Sequence, residues 1–197
     1  GQEKEWKSTS QLFESLISNV ALNGGFTLNI GPRADGSVPY ESISRLNEVG
    51  NWLQQYGESL YGNTGLHLRA DQHDWGKITR KKDSNILYLH VFNWPLDSVL
   101  RVTGISSAPQ KIELLHAGAA QPLNFAQQGP ILHIKLPARQ VDPFVSVIRV
   151  SYDSIELDRS CVAESTFGGF ALHGKNAREA KTLTAFKYDG KRPAHIQ

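Results

Sequence analysis

The sequence predicts an α/β segment followed by an all-β domain. In the first part, apolar residues recur at helical spacing on both sides of a short strand-like run. Near residue 64 this periodicity stops, and short alternating runs separated by turn residues replace it, which is typical of an antiparallel β-sandwich. We therefore expect an α/β part over residues 1–63, a sandwich over 64–152, and, over 153–197, either an extension packed on the sandwich or the start of a further β segment.

The first predicted helix follows a capping box. The Ser8 hydroxyl and the Gln11 amide have the spacing that serves free backbone N–H groups at a helix N-terminus. Six apolar residues then form one helical face: Leu12, Phe13, Leu16, Ile17, Val20 and Ala21. Asn23-Gly24-Gly25 ends the helix, with glycine expected to supply the left-handed conformation.

A buried parallel strand is expected at residues 26–30, before the strand-ending pair Gly31-Pro32. A second helix follows Pro39, which suits a first helical turn. Its expected buried stripe consists of Ile43, Leu46, Val49, Gly50 and Leu53. Because a helix-strand-helix unit cannot cover both faces of a parallel strand, this unit needs partner strands that the chain does not contain.

Seven strands are predicted for the second half, at residues 67–69, 75–80, 86–92, 99–102, 111–115, 132–136 and 145–150. Gly, Pro, Asn and Asp punctuate the gaps between them, as at Ala117-Gly118 and Gly129-Pro130. Trp75 and Trp94 are expected in the sandwich core. Residues 153–197 are turn-rich, with strand-like pieces between the turns.

Composition excludes several classes of function. A net charge of +2 gives no electrostatic basis for nucleic-acid binding, and no apolar run approaches the roughly 20 residues of a membrane span. Cys161 is the single cysteine, so the chain has no internal disulfide. The absence of any Met leads us to expect that the chain was cut from a longer polypeptide.

The run NGGFTLNIGPRADG at 23–36 resembles the last barrel strand of the α-L-fucosidases of glycoside hydrolase family 29. The segments WKS at 6–8, GNWL at 50–53, GESLYG at 57–62, WG at 75–76 and ILYLHVFNWP at 86–95 are also similar to that family. The resemblance covers residues 6 to 150. One departure is Gly25, where the family often has Asn, and we regard it as neutral.

The resemblance implies the last helix-strand-helix of a (β/α)₈-type barrel, followed by a C-terminal β-sandwich. It implies a retaining exo-α-L-fucosidase that hydrolyses terminal α-L-fucosyl linkages in glycans through a covalent glycosyl-enzyme, without a cofactor. The family's catalytic Asp and Glu belong to sequence upstream of Trp6, so no catalytic residue is assigned here. The implied partners are a fucosylated glycan and the upstream barrel portion. Enzymes of this type are exported, to the periplasm or outside the cell, or to the lysosome in eukaryotes.

Three side chains are candidates for substrate binding. Asn29 ends the predicted strand, where it either hydrogen-bonds a neighbouring strand or loop, or lines the sugar pocket. Arg33 follows on the loop, either as an ordinary exposed residue or as a substrate contact. Trp6 either packs between the barrel top and a helix or forms part of the rim, where an aromatic ring stacks on a pyranose. Asp35 is explained by a turn, and Glu41 by the helix dipole.

No metal site is expected. His67, Asp71, His73 and Asp74 match no zinc motif and are assigned to a polar loop. Two other functions stay open beside the fucosidase. One is a non-catalytic carbohydrate-binding or structural β-sandwich module, which explains the missing carboxylate pair but gives the α/β unit no purpose. The other is a retaining glycosidase of similar architecture that acts on a different sugar.

Overall fold

The computed structural model describes residues 6–66, 68 and 73–158. Helix α1 covers Thr9–Ala21 and helix α2 covers Tyr40–Tyr56, with a 3₁₀ turn at Gly57–Ser59. Nine strands follow: β1 Asn63–Gly65, β2 Gly76–Lys81, β3 Ile86–Val91, β4 Val99–Thr103, β5 Lys111–His116, β6 Ala119–Pro122, β7 Phe125–Gln128, β8 Ile131–Lys135 and β9 Ser146–Ser151. Among the described residues, no helix is long and apolar enough to cross a membrane.

The strands form two antiparallel sheets that pack face to face. The larger sheet has the order β1-β2-β3-β9-β5-β6, and the smaller has the order β4-β8-β7. Alternate residues of the longer strands enter the space between the sheets, as Leu87 and Leu89 do from β3 and Leu132 and Ile134 do from β8. Trp75 lies in this core, and Trp94 packs against it. The expected sandwich core is therefore present.

Both helices pack on the outer face of the larger sheet. Phe13 and Ile17 of α1 and Trp52 of α2 share a second apolar cluster with Tyr88 and Val147 of the sheet. The indole N–H of Trp52 also donates to the Val145 carbonyl at 2.9 Å. The larger sheet is consequently buried on both faces, and the described part of the chain has three layers: helices, larger sheet and smaller sheet.

The capping box of α1 is confirmed, since the Ser8 hydroxyl accepts from the Gln11 N–H and the Gln11 amide oxygen accepts from the Ser8 N–H. The end of the helix differs from the expectation. The left-handed residue is Asn23, with φ of 61°, rather than either glycine. Asn tolerates this conformation, and its Oδ1 accepts from the Gly65 N–H at 2.7 Å, which ties the helix end to β1.

The predicted strand at residues 26–30 is absent from the structure, where these residues belong to no helix or strand. A strand requires a neighbour that accepts and donates its backbone hydrogen bonds, and no described strand lies beside this segment. Asn29 is exposed, as is most of the segment. Residues 26–30 have the sequence pattern of a buried strand, but the described part of the chain contains no strand that pairs with them.

The buried stripe predicted for α2 is also wrong in part. Ile43 and Leu46 are 44% and 37% exposed, whereas Val49 and Leu53 are partly buried against the second apolar cluster, between the helices and the larger sheet. The side that is well buried carries Ser42, Trp52 and Tyr56 instead. The helix therefore has two apolar sides, one facing the larger sheet and one facing solvent.

The six predicted strands from residue 75 onward are present, with each end shifted by at most one residue. The strands that the sequence did not indicate are β1, β6 and β7, which are three or four residues long and lie at sheet edges. β6 is exposed throughout and is set by a tight hairpin at Ala117-Gly118, where both residues have positive φ. Of the strand predicted at 67–69 the structure describes only residue 68, which belongs to no strand, and the part of the further β segment beyond residue 158 lies outside the described residues.

Candidate functional site

The loop between the two helices is folded at its tip by Asp35. One carboxylate oxygen of Asp35 accepts from the Ser37 N–H at 2.9 Å and from the Ser37 hydroxyl at 2.7 Å. The Arg33 N–H donates to the Ser37 carbonyl at 2.8 Å, and the Gly36 N–H donates to the Arg33 carbonyl at 2.9 Å. The Ser37 hydrogen bonds hold the pKa of Asp35 below its usual value. Asp35 is thus an ionised turn residue, as expected, and is unsuited to act as a general acid.

Two of the three predicted sugar contacts lie on this inter-helix segment. Asn29 and Arg33 are both exposed, and their side chains make no described hydrogen bond or ion pair. An amide and a guanidinium that are not engaged elsewhere are able to donate to hydroxyl oxygens of a ligand. The structure therefore presents these two groups to solvent on one loop.

The third candidate, Trp6, lies against α2. The guanidinium carbon of Arg45 lies over its ring, 5.9 Å from the ring centroid. Arg45 Nε donates to the Lys7 carbonyl at 2.6 Å, and Nη1 donates to the Glu41 carbonyl at 2.9 Å. In the described part of the chain, no hydrogen bond, ion pair or ring contact joins Trp6 to Asn29 or Arg33. The structure thus brings Trp6 to α2 but does not assemble the three into one contact group.

Among the described carboxylates, Glu113 is the most enclosed, at the outer face of the larger sheet. Its oxygens receive Lys111 Nζ at 2.6 Å and Arg149 Nη2 at 2.9 Å, and Arg149 also reaches Glu58 at 3.4 Å. Hydrogen bonding from Lys111, and then from Arg149, lowers the pKa of Glu113. A carboxylate paired in this way stays ionised and stabilises the sheet, so it offers no proton for glycoside cleavage.

Two buried histidines serve the fold. Nε2 of His73 accepts from the Thr103 N–H at 3.0 Å, and burial lowers the pKa of His73 to about 3. His90 Nε2 lies 3.0 Å from the Thr79 hydroxyl, which itself donates to the Ser59 carbonyl at 2.7 Å. No group of three potential ligands among the described residues is arranged to hold a metal ion. His67 and Asp71 lie outside the described residues.

Arg45 and Glu48 of α2 have contacts that the apolar pattern of the sequence does not indicate. Arg45 binds the segment before α1, and Glu48 accepts a short hydrogen bond from the Thr9 hydroxyl. Both contacts join residues 38 or 39 positions apart. Helical spacing within α2 contains no information about a segment so distant in sequence, so no local signal was available.

A family model, several relatives and solved structures that this chain is similar to are all α-L-fucosidases. The family model described as Alpha-L-fucosidase matches residues 1–58. An α-L-fucosidase of Dictyostelium discoideum is 29% identical over 158 residues, which is 76% of this chain and 34% of that protein. The tissue α-L-fucosidase of Rattus norvegicus is 31% identical over 93 residues, covering 47% of this chain and 20% of that protein.

A solved structure gives the same result. The α-L-fucosidase isoenzyme 1 of Paenibacillus thiaminolyticus superimposes with a TM-score of 0.69 at 27% identity. The match covers 78% of this chain and 37% of that one. The chain thus spans only about a third of the length of the first relatives it matches, at 34% and 37%.

Proposed function

We propose that this chain belongs to the α-L-fucosidase family and is one section of a retaining exo-α-L-fucosidase. The whole enzyme would hydrolyse terminal α-L-fucosyl linkages in glycans through a covalent glycosyl-enzyme, with both catalytic carboxylates supplied by the upstream barrel portion. Residues 6–63 of this chain would complete the barrel, and the sandwich would pack against it and support it.

The observation that carries this proposal is the apolar side of α2 that faces solvent. Ile43 and Leu46 lie on it, and the exposed residues Leu28, Val38 and Tyr40 come from the preceding segment and the helix start. Scattered apolar residues on a surface are ordinary, but here they accompany a strand-like run without a partner strand. A parallel barrel supplies both missing elements, since its strands pair in sequence and each helix packs on the outside.

The three candidate side chains fit a sugar at the barrel mouth. In parallel barrels, ligands bind at the carboxyl ends of the strands; Asn29 lies at the carboxyl end of the strand-like run, and Arg33 follows on the loop. Their amide and guanidinium groups suit the hydroxyls of fucose, and the exposed indole of Trp6 suits an apolar pyranose face. We propose all three as rim contacts rather than as catalytic groups.

The experiment that tests the function is an assay of the parent polypeptide on an aryl α-L-fucoside, with its intact mass measured alongside. Release of the aryl group by a polypeptide well above 21.9 kDa supports the proposal, and a first-formed sugar product of retained α configuration supports the mechanism. A parent mass equal to this chain without turnover would overturn it. Glycan binding by the isolated chain would then favour the non-catalytic module.

The docking of the barrel portion on α2 has its own test. We expect Leu46→Lys to lower both the melting temperature and the activity of the parent polypeptide, because it places a charge in the proposed contact. In the isolated chain the same change should have little effect on stability. Leu96→Lys is the matched control, since Leu96 is 88% exposed on the turn between β3 and β4. Equal behaviour of both variants in the parent polypeptide would refute the docking.

We further propose that the parent enzyme is exported. This proposal is motivated by relatives from Rattus norvegicus, Pongo abelii and Homo sapiens that are named as plasma α-L-fucosidases. Fractionation of the source cells with an antibody against this chain tests it. Recovery of the parent polypeptide solely from the cytosol would contradict export.

A further inference from the structure

Arg45 makes three contacts, which together hold Trp6 against α2. Its guanidinium carbon lies over the indole, its Nε donates to the carbonyl of the next residue, Lys7, and its Nη1 donates to the Glu41 carbonyl of its own helix. The hydrogen bond to Glu41 sets the orientation of the guanidinium plane relative to α2. The other two contacts then fix the Trp6 backbone and ring relative to that plane.

A second contact fixes the same segment. Thr9, at the first position of α1, donates its hydroxyl to Glu48, one turn further along α2 than Arg45. The segment before α1 is therefore attached to α2 by two hydrogen bonds, one at the Lys7 carbonyl and one at the Thr9 hydroxyl. Arg45 and Glu48 lie on the polar side of α2. The polar side of an amphipathic surface helix can face solvent, so the helix itself does not require these two contacts.

Trp6 differs from the other three tryptophans of the chain. Trp52, Trp75 and Trp94 each donate the indole N–H to a backbone carbonyl, at 2.9, 2.9 and 3.0 Å respectively. Trp6 makes no described hydrogen bond and is 37% exposed. An aromatic ring that is held by a cation and left partly open to solvent has a fixed surface available for a ligand.

We propose that Arg45 is a positioning residue for glycan binding, which holds the Trp6 indole at a set angle so that it can receive an apolar sugar face. This inference rests on the proposed function, because it assigns Arg45 to the rim of the same site. Arg45 itself does not touch the sugar. Preorganising the ring removes the entropy cost of ordering it when the glycan binds, so its loss affects substrate affinity rather than the chemical step.

Lysine cannot reproduce this arrangement. An ammonium has a single nitrogen, whereas the Arg45 guanidinium donates from two nitrogens in fixed directions while its central carbon lies over the ring, 5.9 Å from the centroid. Arg45→Lys should therefore recover the charge but not the geometry. A purely structural role of Arg45 predicts a different outcome, namely lower thermal stability with an unchanged KM.

The test compares Arg45→Met, Arg45→Lys, Trp6→Phe and the Arg45→Met/Trp6→Phe double variant in the parent enzyme. We expect Arg45→Met to raise KM on the aryl α-L-fucoside about three- to tenfold with little change in kcat, and Arg45→Lys to fall between it and the wild type. In the Trp6→Phe background, Arg45→Met should raise KM no further. Arg139→Met is the control, since Arg139 is an exposed arginine on the loop after β8.

A second readout does not depend on activity. Acrylamide quenching of tryptophan emission, with the Trp6→Phe signal subtracted, reports the exposure of Trp6, and Arg45→Met should increase it while Arg139→Met should not. Unchanged quenching and unchanged KM in Arg45→Met would overturn the inference, as would equal KM effects of Arg45→Met with and without Trp6. Absence of fucosidase activity in the wild-type parent would refute the proposed function, whereas the quenching would still decide whether Arg45 positions Trp6.

Discussion

We expect His90 to make the stability of this fold sensitive to acid. Its ring is buried, and burial lowers its pKa from 6.5 to about 3. Because the Thr79 hydroxyl donates to the Ser59 carbonyl, it accepts from His90, which assigns the imidazole proton to Nε2. The other nitrogen, Nδ1, is buried without a hydrogen-bond partner. Protonation at Nδ1 would therefore place a charge where nothing described accepts its hydrogen.

The sign and size of the effect follow from proton linkage. The folded-state pKa values of His90 and His73 are both about 3, below the unfolded value of 6.5, so the unfolded chain binds more protons between these limits. The part of the stability that depends on neutral His90 and His73 is fully present above pH 6.5 and is lost as the pH falls towards 3. Each histidine contributes about 1.4 kcal/mol per pH unit in this window. By pH 4.5 the two together lower the free energy of unfolding by about 5 kcal/mol, comparable to the total stability of many domains.

Urea unfolding of the chain at pH values from 7 to 4.5, followed by the emission of the buried tryptophans, measures this slope. We expect His90→Gln to reduce the slope by about half, because the amide keeps a donor near the Nε2 position but does not titrate. The double variant with His73→Gln should be nearly independent of pH above pH 5, where few carboxylates are protonated. A wild-type stability that stays flat between pH 6.5 and 5 would refute the reasoning.

Two further changes test local packing. A Cβ on Gly65 would lie 1.9 Å from the Ala21 carbonyl oxygen, so Gly65→Ala should cost on the order of 3 kcal/mol in denaturant melts of the chain, whereas Gly50→Ala, with nothing within 4 Å of its Cβ, should gain about 1 kcal/mol. Equal melting of the two variants would contradict the close approach of β1 to α1. Ser8→Ala removes the capping hydroxyl and should lower stability by about 1 kcal/mol, and an unchanged thermal midpoint would show that the cap is dispensable.

The sequence predicted those elements whose signal is local. Helix α1 was found with its cap because Ser8 and Gln11 lie three residues apart and the apolar repeat follows directly. The β3 strand was found because its residues alternate and turn residues bound it on both sides, at 82–85 and 93–95. Short exposed edge strands such as β6 were missed, since a strand without a buried face has no apolar alternation to detect.

The candidate site depended on contacts that no local pattern contains. Asn29, Arg33 and Trp6 were chosen from their positions in a motif, and the structure finds all three partly or largely exposed. Arg45 was missed because its partners, Trp6 and Lys7, lie 38 or 39 positions away. The predicted strand at 26–30 failed for a related reason, because a strand is defined by a neighbour as well as by its own residues.

The two helices and the sandwich depend on each other for burial. Tyr88 and Val147 lie on the outer face of the larger sheet, yet both are almost fully buried, because α1 and α2 cover them. Polar contacts cross the same boundary, where Thr79 of β2 donates to the Ser59 carbonyl that follows α2. Removing residues 6–63 would expose an apolar sheet face as well as this hydroxyl. One side of the helical segment therefore covers the larger sheet and completes the sandwich. The solvent-facing side of α2 is the surface against which we propose that the catalytic barrel packs.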